Sequence, residues 1–145
     1  MVQILCSHED IMNDGSVEAI PAFGRDFEAF LSFLGGAAAP TILSPHRFCL
    51  LLSMDLQALA AAAHVHRNTI SRAPAAESVQ RYLRDAVRIL RIGTEIAGSV
   101  EKSLFWFKNS PLPVFDYMSA QTMVSEGRTD DLVRYLLSLD AGFAG

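Results

Sequence analysis

The stretch from Glu77 to Ala97 places the strongest limit on the fold. Val79, Leu83, Val87, Leu90 and Ile96 recur at the spacing of one helical face, and Arg81, Arg84, Arg88 and Arg91 fall mostly on another. So long an amphipathic helix draws most of its stability from elements that cover its apolar stripe. The rest of the chain offers helices to do so. Phe23, Phe27, Phe30, Leu31, Phe33 and Leu34 recur at helical intervals and predict a short helix over about 24–35, ended by Gly35-Gly36. Ala37–Ser44, with Pro40, reads as a linker or turn. Pro45 suits the first turn of a helix capped by Ser44 and running to about Ser53. Asp55 opens a helix through Ala63. After His64-Val65-His66 a short helix covers about Arg67–Ala73, and Pro74 stops it. Beyond the long helix, further helices are expected from Val100 to about Lys108, in a short piece running into Gly127, and in an amphipathic stretch ending near Leu139. The expected class is all-α. Residues 1–20 show little periodicity and read as a loose arm, although Val2, Ile4 and Leu5 could add to a sheet edge.

A length of 145 residues suits one domain or two small ones sharing a core, and a hydrophobic fraction of 50% suffices for packing. The net charge of −4 argues against a dedicated, non-specific nucleic-acid binder. The charge is unevenly placed. Residues 1–63 carry two basic and seven acidic side chains, residues 64–91 six arginines against Glu77 and Asp85, and residues 92–145 four basic and seven acidic. A basic island between acidic flanks suggests two faces with different partners.

Chemistry-bearing patterns are sparse. Cys6 and Cys49 form no CxxC pair and read as idle thiols of a reducing cytoplasm. His64 and His66 are two apart in a turn, a poor metal spacing without further ligands. No nucleophile elbow and no Gly-rich phosphate loop occur, and Asp130-Asp131 most simply complement a helix N-terminus. The reading is therefore not an enzyme, with no catalytic residue, no metal and no cofactor. The N-terminus lacks a cationic start and a long apolar run, and no stretch reaches the ~18 apolar residues that span a bilayer, so a cytoplasmic location is expected.

The sequence LAAAAHVHRNTISR resembles the helix-turn-helix of the Xre family. Leu56-Gln57-Ala58-Leu59-Ala60 forms the first helix of that reading, and Val65 plugs the core at the turn. The second helix, which in such motifs lies in the major groove, would present His66, Arg67, Asn68, Thr69 and Arg72 to operator DNA. His64 stands where the motif usually has glycine, because the turn there prefers a left-handed backbone. The other reading of the segment is a helical scaffold that supports dimerisation.

The C-terminal block carries a second resemblance. Its order of an aromatic pair, Asn109, Pro111-Leu112-Pro113, Ser119-Ala120, Met123-Val124, Glu126-Gly127-Arg128, Leu132-Val133, Tyr135-Leu136 and Ala141-Gly142 is similar to the toxin-binding domain of Xre/MbcA/ParS-type antitoxins. The chain departs from that pattern at Asp116-Tyr117, where small residues, often glycine, are expected. The resemblance implies a type II toxin–antitoxin system whose partner is a RES-domain toxin, which consumes NAD or uses it for ADP-ribosylation. It implies three parts: an N-terminal arm and short helix in 1–40, an Xre-like region in 41–92 and a toxin-binding domain in 93–145. The tail Asp140-Ala141-Gly142-Phe143-Ala144-Gly145 would leave the last helix at Gly142 and enter the NAD cleft, Phe143 as anchor and the carboxylates as pyrophosphate mimics. An ordinary frayed terminus is the plain alternative. Trp106 and Tyr135 are candidates for the same surface or for the core. A homodimer within a toxin–antitoxin hetero-oligomer is expected, since one short motif reads few bases. The Phe-rich segment 23–34 is a candidate interface, with burial in the chain's own core as its rival. The competing class is a stand-alone regulator whose C-terminal half dimerises or binds another protein.

Overall fold

A computed structural model describes residues 19–35 and 41–144, the last three by backbone alone. Among the described residues the fold is all-α apart from one two-residue strand pair. Eight helices are formed among the described residues: α1 Phe27–Gly35, α2 Pro45–Leu52, α3 Leu56–Ala63, α4 Arg67–Arg72, α5 Glu77–Ala97, α6 Val100–Asn109, α7 Ala120–Ser125 and α8 Thr129–Ala144. The arm over residues 1–18, with Cys6 and His8, and the linker over 36–40 lie outside the described residues.

The helix starts follow side-chain chemistry. Ser44 Oγ accepts from Arg47 N at 3.2 Å, Asp55 Oδ1 from Ala58 N at 2.8 Å, Ser99 Oγ from Lys102 N at 3.1 Å and Ser119 Oγ from Thr122 N at 3.2 Å. Each such cap satisfies an otherwise orphaned amide and contributes about 1 kcal/mol. Asp26 does the same for Ala29 N ahead of α1.

Helix α5 is the spine. It packs against α2, α3, α6, α7 and α8. Val79, Leu83 and Leu90 of the expected stripe are buried, while Val87 and Ile96 are only half-buried. Tyr82, Ala86 and Ile89 are buried in addition, because a central helix covered from several sides buries more than one stripe. The α5–α6 hairpin turns at Gly98 (φ +98°) and is tightly closed. A Cβ on Gly93 would lie 2.5 Å from Ser103 Oγ, and that buried hydroxyl donates to Leu90 O at 3.1 Å. The segment before α1 is clamped to this hairpin. Val100 N donates to Gly24 O, and the Glu101 carboxylate accepts from Phe23 N and Gly24 N.

The Phe-rich segment is used inside the molecule. Phe23, Phe27, Phe30 and Leu34 are buried, and Phe23 meets Phe30 and Phe33 edge-on at 5.6 and 5.8 Å. One core cluster runs from Phe23 to Leu136. The position between residues 92 and 93 falls within α5, which therefore serves both halves of the chain.

Two local features differ from expectation. The Pro-bracketed loop is a small hairpin: Pro111 pairs with Ser119 and Leu112 with Met118, around a 3₁₀ turn over Pro113–Phe115. The last helix does not stop near Leu139 but continues to Ala144. Gly142 therefore does not turn the backbone out. A single glycine costs a helix only about 1 kcal/mol, which the helix tolerates.

Candidate functional site

Two surfaces carry the residues singled out in the sequence. The first is α3, the turn 64–66 and α4. His64 closes α3 in the left-handed region (φ +58°, ψ +44°), donating its N–H to Ala60 O and Ala61 O. This is the conformation for which glycine is the usual choice, and it costs a residue with a side chain about 1 kcal/mol or more. Val65 is half-buried against the core, and α4 is anchored by Ile70 alone. His66, Arg67, Asn68 and Arg72 are exposed and Thr69 is half-buried. Anchoring on one residue leaves nearly the whole of α4 presented outward.

The basic island divides on this surface. Arg81 and Arg84 reach Glu77 at 3.8 and 2.8 Å, Arg88 reaches Asp130 at 3.1 Å and Arg91 reaches Glu28 at 3.5 Å. Arg91 also lies over the Phe27 ring, 4.6 Å from its centroid. Arg67 and Arg72 have no such partner among the described residues. The four arginines of α5 thus lie beside three carboxylates, Glu77 being shared by two of them, whereas the two on α4 face no carboxylate among the described residues.

The second surface is built by the hairpin and α8. Leu132, Val133 and Leu136 are buried and fix α8 on the body. Tyr135 is half-buried and meets Phe115 of the hairpin edge-on, with centroids 5.4 Å apart. Arg128 lies over the other side of the cluster, 5.4 Å from the Phe115 centroid, and pairs with Asp131 at 3.2 Å. Asp116 and Tyr117 both adopt positive φ, +56° and +65°. Two successive left-handed residues with side chains are a strained arrangement. They hold Val114 and Tyr117 outward, 62% and 69% exposed. Trp106 has a separate place in the α5–α6 seam, half-buried, with its ring 3.5 Å from where a Cβ of Gly93 would stand.

Beyond Leu136 the helix overhangs the body. Every residue from Leu137 to Ala141 is exposed, including Leu139 and Asp140, whose helical phase matches or adjoins the buried face one turn earlier. Gly142, Phe143 and Ala144 continue the helix, and Gly145 lies outside the described residues. The tail candidates are therefore arranged along a projecting helix rather than an extended strip. The exposed Val114 carried no signal in the sequence, Tyr117 was marked only by the unusual Asp116-Tyr117 pair, and of the three aromatics Phe105-Trp106-Phe107 it is Phe105 that is exposed and Phe107 that is buried.

A cavity of about 460 Å³ lies elsewhere, between residues 20–23, the end of α2 and α6, and neither α4 nor α8 lines it. Its charged groups are engaged within the chain: Lys108 Nζ donates to Leu52 O and Ser53 O, and Glu101 holds the amides of Phe23 and Gly24. Cys49 is buried, and burial together with the Asp55 carboxylate pushes its thiol up to about 11, which suppresses the reactive thiolate. Among the described residues no three metal-ligating side chains gather, and no helix is long and apolar enough to cross a membrane. No protein-family model, no curated protein and no solved structure matches this chain.

Proposed function

We propose that the chain is the antitoxin of a type II toxin–antitoxin pair, binding a RES-domain toxin through α8 and the hairpin and occluding its NAD site. The observation that carries this reading is the overhang of α8. Isolated helices this short are marginal in water. An amphipathic end with Leu137 and Leu139 exposed gains most when a partner covers it. Asp140 adds an anion on the same projection, suited to donor groups of a pyrophosphate site. No reaction is required of the chain, since inhibition here is occupancy of a cleft. The left-handed Asp116-Tyr117 turn supports the family likeness from another side. The backbone there takes the conformation that favours glycine, the residue often expected at those positions.

The α3–turn–α4 segment is proposed as a helix-turn-helix that binds operator DNA, in a homodimer, so that the complex represses its own genes. Arg67 and Arg72, without an ion-pair partner among the described residues, support this. They equally support the second reading, a stand-alone transcriptional regulator with a C-terminal protein-binding half. The deciding experiment is co-expression with the adjacent gene product, affinity capture and an assay of NAD consumption. A stable complex with NAD turnover blocked, and turnover restored on deleting Asp140–Gly145, is the expected outcome. Absence of a complex, with NAD turnover untouched, leaves the regulator reading in its place.

A further inference from the structure

A reciprocal pair of side-chain bonds ties the α3–α4 turn to the end of α7, the helix that leads into α8. His64, the left-handed residue of the α3–α4 turn, places Nε2 2.8 Å from Ser125 O, at the last residue of α7. Ser125 Oγ in return donates to Ala62 O at 2.7 Å, near the end of α3, and stands 3.3 Å from the same ring nitrogen. Two helix C-termini thus cap each other, each supplying a donor to a carbonyl that its neighbour's own helix leaves open. A groove of about 390 Å³, lined among others by Ala58, Ala61 and Gln121, opens between α3 and α7.

Both ends of the link are sensitive places. On one side, α4 begins three residues after His64 and has Ile70 as its single buried side chain, so the turn largely sets its direction. On the other, Ser125 lies two residues before Gly127 (φ +77°), the pivot into α8, and Arg128 N is tied back to Met123 O at 2.9 Å. A shift of α8 that is carried through this tie displaces the Ser125 carbonyl and strains its bond to the ring.

We propose that this reciprocal cap couples the two surfaces, with His64 as the positioning residue that transmits displacement of α8 to α4. The inference rests on the assignment of α8 and α4 as binding surfaces, and it predicts that occupancy of one alters affinity at the other. Energetic coupling of this kind requires an element that both sites bias, and the turn 64–66 is that element.

The test uses the full-length free chain, without DNA or toxin, so that it is independent of the antitoxin reading. Amide hydrogen exchange is followed in α4 and, as a control for global opening, in α1. Leu136→Ala loosens α8 from below; Leu136→Val serves instead if the first variant does not fold. Both are made in the native chain and in a His64→Gly background. Glycine keeps the left-handed turn and removes only the ring, and relief of backbone strain opposes loss of the hydrogen bond. The expected result is exchange in α4 faster by about fivefold or more when α8 is loosened, beyond any change in α1, and loss of that response with His64→Gly. A response of α4 that persists without the ring overturns the proposal, as does an α4 that never responds.

Discussion

Helices α4 and α5 are neighbours in sequence and share the basic island, yet they use it in opposite ways. The arginines of α5 sit over a spine whose inner side is buried and whose outer side is laced to Glu77, Asp130 and Glu28. Those of α4 stand on a six-residue helix with one buried side chain and pair with no acidic residue among the described residues. The difference teaches that a count of charges along a sequence does not measure the charge a surface offers. Availability depends on which acidic residues the fold brings alongside, and two of the three used here come from other helices.

The contrast can be broken most forcefully at its hydrophobic anchors. Leu83→Ala in α5 removes a fully buried side chain from the spine and is expected to cost about 2–5 kcal/mol of global stability, read from urea unfolding. Ile70→Ala in α4 should spare more of the global transition and appear first as lost amide protection confined to α4. Equal global losses would mean that α4 is as integral as α5, against the contrast drawn here.

A second probe addresses how tightly α5 is locked. Gly93→Ala forces a methyl against Ser103 Oγ and should destabilise by about 1–3 kcal/mol in the same denaturation assay. Ser103→Ala removes the obstructing hydroxyl, so adding it to Gly93→Ala should recover part of that loss. A double variant no better than Gly93→Ala alone would show that Trp106, not Ser103, sets the spacing.

The smallest expected effects concern the arginines. Arg88→Ala breaks an exposed pair with Asp130 and should change stability by less than about 1 kcal/mol. Its effect on DNA binding should be slight beside that of Arg67→Ala with Arg72→Ala. The latter pair is expected to weaken binding of the duplex upstream of the chain's own reading frame about tenfold or more. The slope of affinity against salt should fall by about 1 for each arginine that meets a phosphate. Fluorescence anisotropy at several salt concentrations separates these outcomes. A larger loss from Arg88→Ala would show that the paired arginines exchange their partners for phosphate.

Much of the secondary structure was legible because it is locally encoded. Ser44 and Asp55 cap helices through bonds to residues three ahead and gave the starts of α2 and α3, while the period of apolar residues gave the limits of α5 and α6 closely; the caps Ser99 and Ser119 were not read. The left-handed turn at His64 was also readable, since it follows from the likeness of the segment to a glycine-containing turn. The strand pair at Pro111–Ser119 was not, because two-residue strands carry no period. The length of α8 was misjudged because a glycine and a row of small residues read as a stop, where the backbone met no obstacle.

By itself the sequence determined an all-α chain organised on one long amphipathic helix, with a basic segment in its middle and an amphipathic helix near its end. These follow from periodicity, capping and charge, which act over a few residues. Only the tertiary structure decided that the Phe-rich segment is spent on the core, that among the described residues α5's arginines are paired and α4's are not, and that α8 runs past its support. It also decided that His64 reaches Ser125, 61 residues away. Such contacts depend on how helices cross in space, and their energies appear only when distant segments meet.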